Sequence, residues 1–149
     1  MYLKPNIIIV DDHLIFRKGL ISLLTIENIA TVIGEASDGN EFIGLLSHMA
    51  PDLVIMDIDM PDMNGIEATQ KAMGRMPDLK IIAYTMFGTE ENYCKMTGLG
   101  AKGFVLKSTG INELEEAIRK VTMGGTYFSN GITGDSRINS DGKNVIITN

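Results

Sequence analysis

The sequence predicts an α/β fold in which a parallel sheet carries helices on both faces. Three observations carry that prediction. Between Ile7 and Met123, five short apolar runs alternate with five stretches of helical character, the pattern of repeated strand–helix units. The central run, Leu53-Val54-Ile55-Met56, is apolar at every position, as a strand buried on both faces must be. Polar residues stand where runs stop: Asp11-Asp12 after Val10, Asp57 after Met56, Thr85 at the end of the fourth run and Lys107 after the fifth.

Ile7-Ile8-Ile9-Val10 is read as the first strand, followed by a helix from about His13 to Ile26 with Phe16, Leu20, Leu23 and Leu24 as its apolar stripe. Ala30 to Ala36 is the second strand, and Ser37-Asp38-Gly39-Asn40 turns the chain. Phe42, Leu45, Leu46 and Met49 fall at i, i+3, i+4 and i+7 and predict a second helix. Pro51-Asp52 opens the central strand, and Met60-Pro61 stops it. Asp62-Met63-Asn64-Gly65 is a loop, and Ile66 to about Arg75 a third helix that ends at Met76-Pro77. Leu79 to Thr85 is the fourth strand. Thr89 to Thr97 is expected to be a weak, mobile helix, because its stripe is only Tyr93 and Met96 and Gly98 and Gly100 follow. Gly103 to Leu106 is the fifth strand. Leu114, Ala117, Ile118 and Val121 mark a final helix from Ile111 to Met123, closed by Gly124-Gly125.

From Asn130 the chain turns polar and turn-rich, the composition of a linker. The expected organisation is one domain over residues 1–129 and a linker or tail over 130–149. Val145-Ile146-Ile147 is too short a patch for a further domain, and the chain is expected to be cut within an interdomain linker. Its 149 residues, 44% of them hydrophobic and 21% charged, suffice for one soluble core. No apolar stretch is long enough to cross a bilayer, and Met1-Tyr2-Leu3-Lys4-Pro5 leads straight into a strand rather than forming a signal peptide. A single cysteine, Cys94, excludes an internal disulfide and fits a reducing cytoplasm; it is expected to be a half-buried packing residue. The formal charge of −6 repels phosphate backbones, so these residues are poor material for binding nucleic acid directly. The ten methionines are read as core filler, and His13 and His48, far apart in sequence, as no metal site.

Parallel strands bring Asp11, Asp12, Asp57, Thr85 and Lys107 to one edge of the sheet, where open α/β folds place their ligands. Three crowded carboxylates need a counter-charge. Mg²⁺ suits carboxylate, carbonyl and water oxygens; Lys107 adds a second positive charge and Thr85 a hydroxyl donor. Such an arrangement suits a carboxylate that attacks phosphorus and holds a phosphoryl group. Taken singly, the acid pair could instead cap the first helix, Lys107 could be a surface lysine, and Phe104 could simply be core.

Five pieces carry a family likeness: Val-Asp-Asp-His at 10–13, Val-Ile-Met-Asp-Ile-Asp-Met-Pro at 54–61, Gly65, Tyr84-Thr85, and Gly-Ala-Lys-Gly-Phe-Val-Leu-Lys at 100–107. In this order, over about residues 5–129, they resemble the receiver domain of two-component response regulators. The resemblance implies a flavodoxin-like (βα)₅ fold with a five-stranded parallel sheet of order 2-1-3-4-5. It implies Asp57 as phosphoacceptor. Asp12 would ligate Mg²⁺ directly and Asp11 mainly through water, with the backbone carbonyl of Asp59 as another ligand. Thr85 and Lys107 would bind the phosphoryl oxygens, and Phe104 would be the aromatic that turns inward when Thr85 moves. It also implies a sensor histidine kinase as partner and a regulatory protein that catalyses its own phosphorylation and dephosphorylation, not a turnover enzyme. The stretch from Lys107 to Ser129 resembles the subfamily joined to LuxR-type helix-turn-helix domains, which implies dimerisation on phosphorylation and DNA contact only through an output domain absent here; the alternative is a stand-alone receiver.

Two departures stand out. Many receivers have a cis proline after the last lysine; here it is Ser108, and a cis bond to a non-proline costs about 3–4 kcal/mol. Asp59 and the bulky Phe87 occupy positions that in the family tune phosphoryl lifetime. Two other functions fit less well. Asp57-Ile58-Asp59 resembles the start of haloacid-dehalogenase-like phosphatases, yet there the nucleophile strand comes first, whereas here Asp11-Asp12 precede it. A flavin-binding module would want a Ser/Thr/Gly-rich first loop, where Asp11-Asp12 would repel a phosphate.

Overall fold

The computed structural model describes residues 2–60 and 63–129, with the backbone of 137–138 and 144–145. Strands β1 (Asn6–Val10), β2 (Thr31–Ala36), β3 (Leu53–Met56), β4 (Lys80–Thr85), β5 (Gly103–Leu106) and β6 (Tyr127–Phe128) alternate with helices α1 (Leu14–Ile26), α2 (Gly39–Leu46), α3 (Gly65–Arg75), α4 (Glu90–Gly98) and α5 (Ile111–Thr122). A single 3₁₀ turn, Lys107–Thr109, joins β5 to α5. The sheet order is β2-β1-β3-β4-β5-β6 and every pairing is parallel. This is the flavodoxin-like order 2-1-3-4-5 with one strand more than expected.

Strand alternation divides the core in two. Ile8, Val10, Val54, Met56, Ile81, Ala83 and Phe104 face one layer, where they meet Phe42 of α2, Ala68 and Ala72 of α3 and Met96 of α4. Ile7, Ile9, Leu53, Ile55, Ile82 and Val105 face the other, against Leu20 and Leu24 of α1 and Leu114, Ile118 and Val121 of α5. Every residue of β3 is buried, as its unbroken apolar run requires.

Several expectations need correction. The five-stranded sheet gains β6 because Gly124, at φ +96°, ends α5 and turns the chain back along β5. Tyr127 N–H then donates to Lys102 O at 3.0 Å and Ser129 N–H to Phe104 O at 2.8 Å. Two residues are too few to show a periodicity. In α1 the inward stripe is Arg17, Leu20 and Leu24, while Phe16 and Leu23 remain 38% and 44% exposed. The turn at 37–40 is already helix at Gly39, because the Asp38 side chain accepts Glu41 N–H at 2.8 Å and caps α2. The weak fourth helix forms as α4, with Thr89 accepting Asn92 N–H at 3.1 Å and Met96 as its buried anchor. Cys94, two residues before that anchor, faces outward: it is exposed rather than half-buried, and its thiol donates to Glu90 at 3.4 Å.

Within the expected linker, Arg137–Ile138 pairs antiparallel with Asn144–Val145, two short apolar-containing pieces on either side of an Asp141-Gly142 turn signal. The rest of 130–149 lies outside the described residues, as do Pro61 and Asp62; β3 has already ended at Met56, ahead of the stop expected at Met60-Pro61.

Candidate functional site

Register sets the site. Val10 pairs with Met56, Met56 with Ala83, and Thr85 with Leu106. Asp11, Asp57, Thr85 and Lys107 therefore stand at neighbouring strand ends, and Asp57 N–H is tied to Val10 O at 2.9 Å. The side chains of Asp11, Asp57 and Lys107 are each only 4% exposed. Lys107 Nζ lies 2.6 Å from Asp11 Oδ2 and 3.4 Å from Asp57 Oδ2. It also sits 4.4 Å from the centre of the Phe16 ring, whose face favours a cation.

Burial pushes the Asp57 carboxyl up to about 6; Lys107 pulls it down and Asp11 pushes it up. The Asp59 N–H donates to Asp57 Oδ1 at 3.2 Å. Asp59 thus enters the site through its backbone, while its carboxylate accepts the Thr85 hydroxyl at 3.2 Å. Thr85 is fully buried, and its oxygen also accepts Phe87 N–H at 3.4 Å. Phe104 is fully buried too, edge-on to Tyr93 with ring centres 5.5 Å apart.

The acid pair is not spent on capping. The N-cap of α1 is His13, which makes no side-chain cap bond. Asp11 Oδ1 instead accepts His13 N–H at 2.8 Å, ahead of the helix. Potential ligand atoms of Asp11, Asp12, His13 and Asp57 all lie within 4.8 Å of one another. Asp12 Oδ1 is buried with no hydrogen-bond partner, although His13 Nδ1 stands 3.2 Å away outside hydrogen-bonding geometry. A buried carboxylate oxygen without a hydrogen bond is costly. A cation in this basin would satisfy it, so the donor set fits a divalent metal.

Two local features shape the basin. The Lys107–Ser108 bond is trans, as are all peptide bonds among the described residues, so the serine brings no cis peptide. Gly65, at the start of α3, packs against the backbone behind Asp57: a Cβ there would fall 2.1 Å from Asp57 O. Sequence reasoning missed His13, Phe16 and Arg17. His13 directly follows the acid pair. Arg17 stands three residues before Leu20 and seven before Leu24, a cation on the core face of α1, and that placement was the available signal.

Residues 7–119 match the family model of the response regulator receiver domain. The chain belongs to the response regulator receiver family. It is 35% identical over 130 residues to the transcriptional regulatory protein DegU of Brevibacillus brevis, covering 87% of this chain and 55% of DegU. It is 34% identical over 143 residues to LiaR of Bacillus subtilis (strain 168), covering 95% of this chain and 68% of LiaR. The chain thus spans little more than half the length of DegU. Among solved structures, a LuxR-family two-component response regulator from Aurantimonas sp. SI85-9A1 superposes with a TM-score of 0.83 at 33% identity, covering 87% of this chain and 93% of that one. The isolated REC domain of RcsB from Salmonella enterica serovar Typhimurium, solved with phosphomimetic BeF₃⁻, gives 0.80 at 26% identity, covering 87% and 96%. A receiver is a regulatory module, and its acidic cluster can hold a metal ion. Among the described residues no helix is long and apolar enough to cross a membrane.

Proposed function

We propose that this receiver accepts a phosphoryl group on Asp57 from a phosphohistidine of a sensor kinase. The observation that carries the reading is the buried Asp57 carboxylate facing the Lys107 ammonium at 3.4 Å, beside the acid pair of the first loop. In the transfer, an Asp57 oxygen forms a bond to phosphorus while the P–N bond to the donor imidazole breaks. The electron pair stays on the imidazole, which takes a proton from solvent. Lys107 holds a phosphoryl oxygen, and the Thr85 hydroxyl, released from Asp59, holds another. Asp11, Asp12, Asp57 and the Asp59 carbonyl would hold Mg²⁺, which supplies charge neutralisation among the carboxylates and phosphoryl oxygens. Hydrolysis of the acyl phosphate in the same basin resets the domain, so its chemistry is self-directed rather than that of a turnover enzyme.

The output follows from a population shift: the phosphoryl group favours the arrangement in which the Thr85 hydroxyl has left Asp59 for the phosphoryl group, beside a Phe104 that is already packed inward. Residues 1–129 form the phosphoacceptor domain and 130–149 a linker or tail, in a cytoplasmic protein. DegU and LiaR carry the names of transcriptional regulatory proteins, and one related structure is of two RcsB dimers bound to DNA. By that analogy, phosphorylation drives dimerisation and acts on transcription through a DNA-binding domain outside this chain, consistent with the chain's own charge of −6.

Incubation with a phosphorylated histidine kinase or a small phosphodonor tests the reading. Label should enter the wild type only with Mg²⁺ present and should be lost in Asp57→Asn. Labelling of Asp57→Asn at the full rate would reject the acceptor assignment.

A further inference from the structure

Arg17 makes contacts that its place on a helix does not explain. It lies in the first turn of α1, where a cation opposes the helix dipole, and its side chain is only 10% exposed. Side chains on a helix lean toward its N-terminus, and this one reaches back to the loop before it. Its Nη1 donates to the main-chain oxygen of Asp11, and its Nε donates to Glu35 Oε1 at 2.8 Å. Glu35, at the end of β2, is shared with Lys18 at 2.7 Å; hydrogen bonds from Lys18 and then Arg17 hold its carboxyl below the ordinary range.

The consequence lies in which atom Arg17 grips. Asp11 is held at every polar group. Its N–H donates to Ala36 O at 3.0 Å, its Oδ1 accepts His13 N–H at 2.8 Å, its Oδ2 accepts Lys107 at 2.6 Å, and its carbonyl accepts Arg17. The carbonyl belongs to the peptide plane that joins Asp11 to Asp12. Rotation of that plane would swing the Asp12 Cα–Cβ bond, and with it the buried oxygen that has no hydrogen-bond partner.

We propose that Arg17, anchored by Glu35, is a positioning residue that fixes the Asp11–Asp12 peptide plane and thereby sets the divalent-cation affinity of the acidic basin. The inference rests on the proposed use of Asp11 and Asp12 as cation ligands. It concerns the direction in which Asp12 is presented, not the charge of the guanidinium. The two effects have opposite signs. Removal of a nearby cation would by itself tighten Mg²⁺ binding, whereas loss of orientation weakens it.

Calorimetric titration of the full chain with Mg²⁺ separates them. R17M should weaken Mg²⁺ binding about tenfold, the usual effect of losing a group that orients a ligand. R17K, which keeps the charge and one donor, should recover most of that loss. The Asp12 backbone amide resonance should move in R17M with no metal added. E35Q loosens the anchor without touching the acidic loop and should weaken binding by a smaller factor. Unchanged or tighter Mg²⁺ binding in folded R17M overturns the proposal. Should R17M fail to fold, the same result in E35Q overturns it. A wild-type chain that binds Mg²⁺ but takes no phosphoryl group defeats the phosphoacceptor reading alone; one that binds no Mg²⁺ defeats both.

Discussion

Lys107 is bound more closely to Asp11 than to Asp57: its ammonium stands 2.6 Å from the first carboxylate and 3.4 Å from the second. This buried ammonium thus holds together two strand ends that are 46 residues apart in sequence, and its shorter bond goes to Asp11 rather than to the proposed acceptor. Asp57 is left with the weaker claim on it, which accords with a carboxyl raised to about 6.

Removal of that ammonium should therefore be costly. K107M leaves two buried carboxylates with no protein counter-charge and should destabilise the fold by on the order of 3 kcal/mol at pH 8 without divalent ions. Urea unfolding with and without Mg²⁺ checks this: the metal should restore part of the loss, and acidification toward pH 5 should shrink it.

The raised Asp57 carboxyl gives a signed pH dependence. Because the folded state holds this proton more tightly than the unfolded state, the associated stability is fully present below about pH 4 and is lost as pH rises through about 6. Metal-free D57N, which cannot ionise there, should match the wild type at low pH and exceed it above pH 7 by on the order of 1–2 kcal/mol after solvent screening. Unfolding midpoints of the two proteins from pH 4 to 8 measure the divergence. A constant difference across that range would contradict the assigned burial effect.

Mg²⁺ should stabilise the wild type by mass action, by about 2.7 kcal/mol when its free concentration is a hundred times the dissociation constant. D12N should lose most of that gain, since it removes the charge of the carboxylate whose buried oxygen has no hydrogen-bond partner. Thermal melting in EDTA and in excess Mg²⁺ reads the effect directly.

G65A should strike the acceptor without altering any polar side chain. Its methyl would meet Asp57 O at 2.1 Å, so either α3 or the Asp57 backbone must shift. The expected cost is about 1–3 kcal/mol of stability and, for a displacement near 1 Å, about a hundredfold in the rate of phosphoryl transfer. Labelling kinetics on the folded variant test the second figure.

Most of this architecture was legible in advance because burial writes itself into period and run length. The unbroken Leu53–Met56 run marked the central strand, and the acids, threonine and lysine at strand ends marked the edge where they gather. The reading failed where a contact depends on a partner far along the chain. Arg17 looks like a surface residue until Glu35 of β2 and the Asp11 carbonyl neutralise and satisfy it. Phe16 looks like core until it is found half-exposed with Lys107 on its face. Strand β6 is two residues of backbone pairing that no side-chain pattern announces.

The amino-acid sequence by itself determined the alternation of strands and helices, hence the parallel sheet, and which chemical groups stand at its carboxyl edge. Those are local properties: apolar spacing chooses the element, and the residue after each strand lands at its end. Only the tertiary structure decided how the groups share one another. It placed the ammonium nearer Asp11 than Asp57, gave the Thr85 hydroxyl to Asp59, and left one Asp12 oxygen without a hydrogen bond. Such choices follow from distances of a few tenths of an ångström inside a desolvated basin, where electrostatic preference is steep and no neighbour in sequence sets it.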